Sequence, residues 1–231
     1  MSIDKVLDKE DIEFYLKELA KNIRKINGKY PPTEIIIVGG ASILLNYNFR
    51  QATQDIDAFN STSESGIKRA INAVTDKYNL ENDWINSDFI YTNSYTPRLR
   101  EFSKFYKQYS NCVSVYTVKD EYLIAMKIVS ARLYKNDLSD IVGILLDSKN
   151  HITYESIDKA MNDLYDGWSR TNVEIVEMVK NLLSMNRNEL NEIYSHFIEE
   201  QNKNKDILTR NSINGSINSK EQDEVDYELT K

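Results

Sequence analysis

The stretch "EIIIVGGASILLNYNFRQATQDIDAF", residues 34–59, constrains the fold more than any other part of the chain. Residues 35–38 are consecutive β-branched side chains, a run typical of a strand that is buried on both faces. Gly39 and Gly40 follow directly, and "ASILLNY" after them indicates a short helix. "DIDAF", residues 55–59, then predicts a second strand. The stretch therefore predicts a strand, a tight turn, a helix and a neighbouring strand.

The rest of the chain changes character near its middle. Helices are predicted at 8–27, 64–80, 119–133, 137–148, 153–167, 171–185 and 188–203, and further strands at 89–92 and 112–118. Thr171 and Glu174 have the spacing of a helix capping box. The fold class is therefore α/β (α+β), with helices alone in the second half. The predicted regions are an α/β core with its N-terminal helix at 1–118, a helical region at 119–202 and a disordered polar tail at 203–231.

The composition argues against several classes of protein. No apolar run approaches the roughly 20 residues that a membrane-spanning helix needs, and the first residues do not resemble a signal peptide. Cys112 is the single cysteine, so an internal disulfide is excluded and a cytoplasmic location is expected. His151 and His196 have no cysteine or acid at ligand spacing, which argues against a zinc site. The net charge of −7 does not indicate a nucleic-acid-binding protein by itself.

The pair Gly39–Gly40 admits two interpretations. Glycine lets a ligand approach the backbone closely, and the N-terminus of a helix presents unpaired N–H groups, so the turn is a candidate phosphate site. The other interpretation is a tight strand-to-helix turn that needs a positive φ angle. Both remain open from these residues alone.

Asp55 and Asp57 are two residues apart on a predicted strand, so their side chains lie on the same face. Two adjacent carboxylates repel each other unless a cation lies between them, and oxygen ligands of this kind suit Mg²⁺, with Mn²⁺ as an alternative. A solvated strand end is the other interpretation. Because neighbouring strands lie about 5 Å apart, the glycines and the aspartates are expected to be adjacent. That layout suits metal-assisted transfer of a phosphate-bearing group.

The motifs "VGGAS" and "RQATQDIDAF" resemble the signature of the DNA polymerase β nucleotidyltransferase superfamily. Downstream, "EYLIAMKIVSARLYKNDLSDIVGILL" resembles a second block, found in minimal nucleotidyltransferases of the AbiEii-like abortive-infection type, the toxins of type IV toxin–antitoxin systems. The two matches span residues 34–148. The resemblance implies a small mixed β-sheet flanked by helices, with the helical region at 119–202 completing an active-site cleft.

The resemblance also implies roles for particular residues. Gly39 and Gly40 would bind the triphosphate of an NTP through backbone N–H groups, and Ser42 would add a hydroxyl. Asp55 and Asp57 would bind Mg²⁺. The nucleotide-contacting and acidic residues of the second block would be Lys127, Arg132, Asp137 and Asp140, with Lys127 and Asp137 counted among the catalytic residues. Arg50 and Thr53 match strand-entry positions with a structural role.

One departure from the superfamily pattern concerns a third carboxylate. Many members carry this acid on a later strand, but "CVSVYTV", residues 112–118, contains none. Asp83 and Asp88, on either side of Trp84, are candidates, and Asp137 is another. The sequence does not decide among these acids or exclude that the third acid is absent.

The stretch "PRLREFSKFYKQY", residues 97–109, interleaves basic and aromatic side chains. It is interpreted either as an RNA-binding surface, in which bases stack on the aromatic rings, or as an amphipathic helix with its aromatic side chains in the core. The function expected from the resemblance is transfer of an NMP from an NTP to an acceptor hydroxyl, with RNA or tRNA as acceptor and an antitoxin protein as partner. The alternative is a catalytically impaired relative that acts as a nucleotide-binding or protein-interaction module.

Overall fold

A computed structural model of the protein describes residues 6–28, 32–60, 65–130 and 137–200. The helices are α1 (Lys9–Asn27), α2 (Gly39–Asn46), α3 (Ser65–Tyr78), α4 (Asp120–Ser130), α5 (Asp137–Asp147), α6 (Tyr154–Tyr165) and α7 (Val173–Ser184). The strands are β1 (Thr33–Ile37), β2 (Ile56–Asn60), β3 (Ile85–Asn86), β4 (Ser103–Tyr109) and β5 (Val113–Val118). Residues 187–200 are also helical.

The five strands form one mixed sheet in the order β3-β2-β1-β5-β4. β1 is central, antiparallel to β2 and parallel to β5, and its residues Ile35, Ile36 and Ile37 are buried. β3 pairs with β2 in parallel, and β4 pairs with β5 antiparallel. The predicted α/β class, with a small mixed sheet flanked by helices, is confirmed.

The first helix shows why these residues fold as they do. Asp8 caps α1 by accepting from the backbone of Asp11, whose side chain in turn accepts from the backbone of Asp8. The apolar face of α1 is buried and packs against α3. In the second half of the chain, α4 packs against α6. Helix pairs of this kind bury apolar faces that neither helix could bury alone.

Three predictions of local structure were wrong. Residues 89–92 are not a strand, because Asp88–Tyr91 form a 3₁₀ helix. The stretch 97–109 is not an amphipathic helix: Pro97–Arg100 form a 3₁₀ helix, and β4 follows. A register shift between Phe105 and Lys107 breaks the alternation of side chains, and that irregularity hid the strand.

The third error concerns the start of α7. Asn172, not Thr171, caps this helix and accepts from the backbone N–H of Glu174. Asn caps helices at least as well as Thr. Because the helix begins one residue later than predicted, the capping box between Thr171 and Glu174 does not form.

The chain divides into two compact units, Met1–Met185 and Asn186–Lys231. The predicted boundaries at 118 and 202 stay predictions, and the predicted tail at 203–231 lies outside the described residues. Among the residues that the structure describes, no helix is long and apolar enough to cross a membrane.

Candidate active site

An open pocket of about 390 Å³ lies where β1 and β2 meet the N-terminus of α2. Its lining comes from four parts of the fold: the turn between β1 and α2, the start of β2, the β3 region and helices α4 and α5. The polar and glycine residues that line it include Gly39, Gly40, Asp55, Asp57, Asp83, Asn86, Asp88, Lys127, Ser130 and Asp137. The two motifs that the sequence places on consecutive strands therefore share one pocket.

The glycine turn leaves backbone donors at the pocket. Val38 is the N-cap of α2 and forms no side-chain capping hydrogen bond. Its own N–H donates to the carbonyl of Asp57 (3.0 Å), which ties the turn to β2. The first N–H groups of a helix have no partner within the helix, so those of Gly39 and Gly40 are available to a ligand at its positive end.

Gly39 has the positive φ angle that the turn interpretation expects, and the phosphate interpretation stays a prediction. Its φ is +60°, in the left-handed region that favours glycine. A Cβ atom on Gly39 would also lie 3.0 Å from Oδ2 of Asp57. The absence of a side chain therefore permits the turn and lets the Asp57 carboxylate lie directly against the backbone of the turn.

Gly40 has a different reason to be glycine. A Cβ atom there would lie 2.7 Å from Nη2 of Arg50 and 2.9 Å from Oγ1 of Thr53. Arg50 is fixed in that place because its Nε donates to the carbonyl of Ala52 (3.1 Å) and its Nη1 donates to Asp140. Arg50 and Thr53 thus pack against Gly40, which agrees with the structural role expected of them.

Lys127 lies in a buried ionic cluster that reaches the pocket. Its Nζ donates to Oδ1 of Asp137 (2.6 Å) and to Oδ2 of Asp140 (2.8 Å), and Arg50 Nη1 donates to the same Asp140 oxygen (2.7 Å). Burial lowers the pKa of Lys127, but the carboxylates of Asp140 and Asp137 raise it by more, so the net pKa is above its usual value. The pocket therefore has one fixed positive charge on α4.

Asn86 lies beside the two aspartates, and sequence reasoning missed it. In the register of the parallel β2–β3 pair, Asn86 is opposite Asp57, and its Nδ2 donates to Oδ2 of Asp55 (3.0 Å). The only sequence signal was its place between the candidate acids Asp83 and Asp88. A strand of two residues leaves no periodic pattern from which its pairing could be predicted.

The predicted site residues do not all reach the pocket. Ser42 is fully buried, and the pocket lining does not include it, so the structure does not bring its hydroxyl to the phosphate site. Asp140 is buried behind Lys127. Arg132 lies outside the described residues. Asp83 and Asp88, which the sequence could not position, both line the pocket.

The basic side chains of residues 97–109 are paired with acids. Their partners are Glu101 for Arg98, Glu34 for Arg100, Asp120 for Lys104 and Glu13 for Lys107. The Arg100 guanidinium binds Glu34 through two hydrogen bonds of 2.8 Å and also lies over the ring of Tyr116. These four cations keep 38–48% of their side-chain surface exposed, and exposed ion pairs are weak, so the RNA-binding interpretation of this stretch stays a prediction.

A mixed sheet that carries a glycine turn and a pair of aspartates in one pocket defines a nucleotidyltransferase-like protein. The comparison with protein families agrees: residues 15–195 match the model of a family described as "nucleotidyltransferase of unknown function" (DUF6036), and the chain belongs to that family. No curated protein and no solved structure gives a significant match.

Proposed function

We propose that this protein is a Mg²⁺-dependent nucleotidyltransferase that moves an NMP from an NTP to an acceptor hydroxyl. The observation that carries the proposal is the shared pocket of the Gly39–Gly40 turn and the Asp55/Asp57 pair, with Asp57 Oδ2 only 3.0 Å from where a Cβ atom on Gly39 would lie. Family membership supports nucleotidyl transfer in general. The metal ion, the substrates and the biological role go beyond family membership and are our proposal.

The donor set fits Mg²⁺. Asp55 and Asp57 offer two hard carboxylates, and Mg²⁺ in nucleotide sites is usually held by one or two carboxylates together with substrate phosphates and water. Among the residues that the structure describes, no three His, Cys, Asp or Glu side chains converge as a complete metal site. A bound Mg²⁺, or Mn²⁺ in its place, supplies neutralisation of phosphate charge and alignment of the α-phosphate.

The protein groups then have distinct tasks. The N–H groups of Gly39 and Gly40 bind phosphate oxygens of the NTP at the start of α2. The ammonium of Lys127 provides a positive charge on the α4 side of the pocket, held in place by its two carboxylate partners. Together these groups orient the triphosphate for transfer.

The transfer forms a bond between the acceptor oxygen and the α-phosphorus, and it breaks the bond from that phosphorus to the pyrophosphate oxygen. The acceptor hydroxyl loses its proton as the bond forms. The carboxylates of Asp83 and Asp88 line the same pocket and are the proposed proton acceptors. Asp137 is a weaker candidate for this role, because its carboxylate already accepts from Lys127 and from Ser130 Oγ (3.1 Å).

The acceptor that we favour is the end of a tRNA or another RNA, and the partner is a cognate antitoxin. The support for both is the resemblance of residues 121–146 to the second block of the abortive-infection toxins. The ion-paired stretch 97–109 gives no support for an RNA surface there.

The test is incubation of the purified protein with each labelled NTP, Mg²⁺ and total RNA. We expect label to enter RNA, and we expect Asp55→Asn and Asp57→Asn each to reduce transfer by about 100-fold or more. Asp76→Asn, on the exposed face of α3, is the matched control and should leave transfer unchanged. Transfer that persists in both pocket variants would exclude this mechanism.

A binding module is the second candidate, and the side chain at position 86 favours it. The amide of Asn86 donates to Asp55 beside the acidic pair, and the third carboxylate that the resemblance leads us to expect on a later strand is not at this position. Mg²⁺-dependent NTP binding without transfer to RNA or protein acceptors would favour this candidate.

A further inference from the structure

The amide of Asn86 has one permitted orientation. Its Oδ1 accepts from the backbone N–H of Asp88 (2.9 Å), and its Nδ2 donates to Oδ2 of Asp55 (3.0 Å) and to the carbonyl of Asp83 (3.2 Å). Rotating the amide by 180° would set its oxygen against a carboxylate and a carbonyl, and its NH₂ against an N–H. All three contacts therefore require that the NH₂ group of Asn86 faces Asp55.

This contact uses one oxygen of Asp55. A carboxylate that accepts a hydrogen bond from an amide is fixed in direction, and its second oxygen remains for another ligand. Asp57 lies opposite Asn86 in the β2–β3 register, so the amide borders both acids. Asn86 thus restrains the acidic pair from the β3 side, while Gly39 borders Asp57 from the other side.

We propose that Asn86 is a positioning residue which orients Asp55 and limits the pocket to a single divalent ion. The proposal rests on the proposed function. A carboxylate at position 86 would add a third acid beside Asp55 and Asp57 and could complete a second ion site; an amide that donates its N–H cannot ligate a cation through that atom. The charge at position 86 decides the number of ions.

The experiment measures Mn²⁺ binding to the full chain by electron paramagnetic resonance, with the metal alone as the probe. Wild type is expected to bind one ion per chain. Asn86→Asp is expected to bind a second ion, and Asn86→Ala is expected to bind one ion about 10-fold or more weakly, because Asp55 loses the donor that orients it. Asn93→Asp, which adds the same charge at an exposed position nearby, should behave as wild type.

Thermal melting with and without Mn²⁺ checks that the variants fold. Asn86→Asp is expected to melt below wild type without the ion, since its new carboxylate faces Asp55, and to recover a larger shift when Mn²⁺ is added. Two ions in wild type would overturn the proposal. One ion in Asn86→Asp, or unchanged affinity in Asn86→Ala, would overturn it as well.

These outcomes are separable from failure of the proposed function. If wild type transfers label and binds Mn²⁺ but Asn86→Ala binds it as tightly, only the role of Asn86 is wrong. If wild type neither binds Mn²⁺ nor transfers label, the proposed metal-dependent activity is wrong. The proposed role of Asn86 is then wrong as well.

Discussion

At the scale of single residues, the site depends on a glycine, Gly39, because a residue without a Cβ atom leaves room for the Asp57 carboxylate. Gly39 allows a turn with φ of +60° and also allows Asp57 Oδ2 to lie where a Cβ would otherwise press against it at 3.0 Å. These two effects can be separated experimentally, because another glycine has one of them without the other. Gly28, at the end of α1, has φ of +74°, and a Cβ atom added there would meet no atom within 4 Å.

We predict that Gly39→Ala weakens Mg²⁺-dependent NTP binding by about tenfold or more, because the new methyl group displaces the Asp57 carboxylate. Gly28 has φ of +74° and ψ of −150°, a region occupied essentially by glycine alone, so Gly28→Ala should cost about 1–3 kcal/mol of unfolding free energy without any loss of binding. Calorimetric titration and urea denaturation measure the two quantities. Equal binding losses in both variants would show that Gly39 acts through stability alone.

At the scale of elements, Glu18 joins α1 to α3. This buried carboxylate accepts from Lys21 (2.5 Å), Lys77 (2.8 Å) and the hydroxyl of Tyr78 (2.8 Å). Those hydrogen bonds lower the pKa of Glu18 from 4.5 to about 2, with Lys21 as the largest contributor. Because the pKa in the folded protein is depressed, the stabilisation is complete above the ordinary pKa of 4.5 and is lost as the pH falls toward 2.

Glu18→Gln is therefore expected to lower the free energy of unfolding by about 2 kcal/mol at pH 7. The difference from wild type should shrink as the pH is lowered from 5 toward 2 on the same argument. Urea denaturation across this range gives the measurement, and Glu192→Gln, at an exposed position, is the control. A difference that stays constant with pH would show that the charge of Glu18 does not contribute.

A second contact between elements holds α5 against the segment before β2. A Cβ atom on Gly143 would lie 2.5 Å from the ring of Phe49, the residue next to Arg50. Gly143→Ala should overpack this contact, lower the unfolding free energy by about 1–3 kcal/mol and disturb the pairing of Arg50 with Asp140. Phe49→Leu in the same chain should restore part of the loss, as measured by denaturation. No recovery in the double variant would contradict the packing explanation.

At the scale of the whole molecule, the sequence predicted what depends on local pattern. The run at 35–38, the glycine pair and the acids at 55 and 57 each carry a short-range signal, and the fold confirms their common pocket. Asn86 escaped prediction because its role depends on the pairing of β3 with β2, a contact between distant parts of the chain. Ser42 lies outside the pocket lining because its face of α2 meets the core, a placement that the sequence around it does not reveal.

The charge of the pocket is also a property of the whole molecule, because its charged residues come from several elements. Its described lining contains the carboxylates of Asp55, Asp57, Asp83, Asp88 and Asp137 and the single ammonium of Lys127. The chain as a whole has a net charge of −7. An NTP is itself an anion, so such a pocket repels it unless a cation neutralises the acids.

The most direct test is therefore calorimetric titration of the wild-type protein with each NTP, in Mg²⁺ and in EDTA. We predict binding of at least one NTP in Mg²⁺, weakened about tenfold or more both by EDTA and by Asp57→Asn. Binding of equal strength in EDTA, or in Asp57→Asn with Mg²⁺, would contradict the claim that the glycine turn and the two aspartates form one nucleotide site.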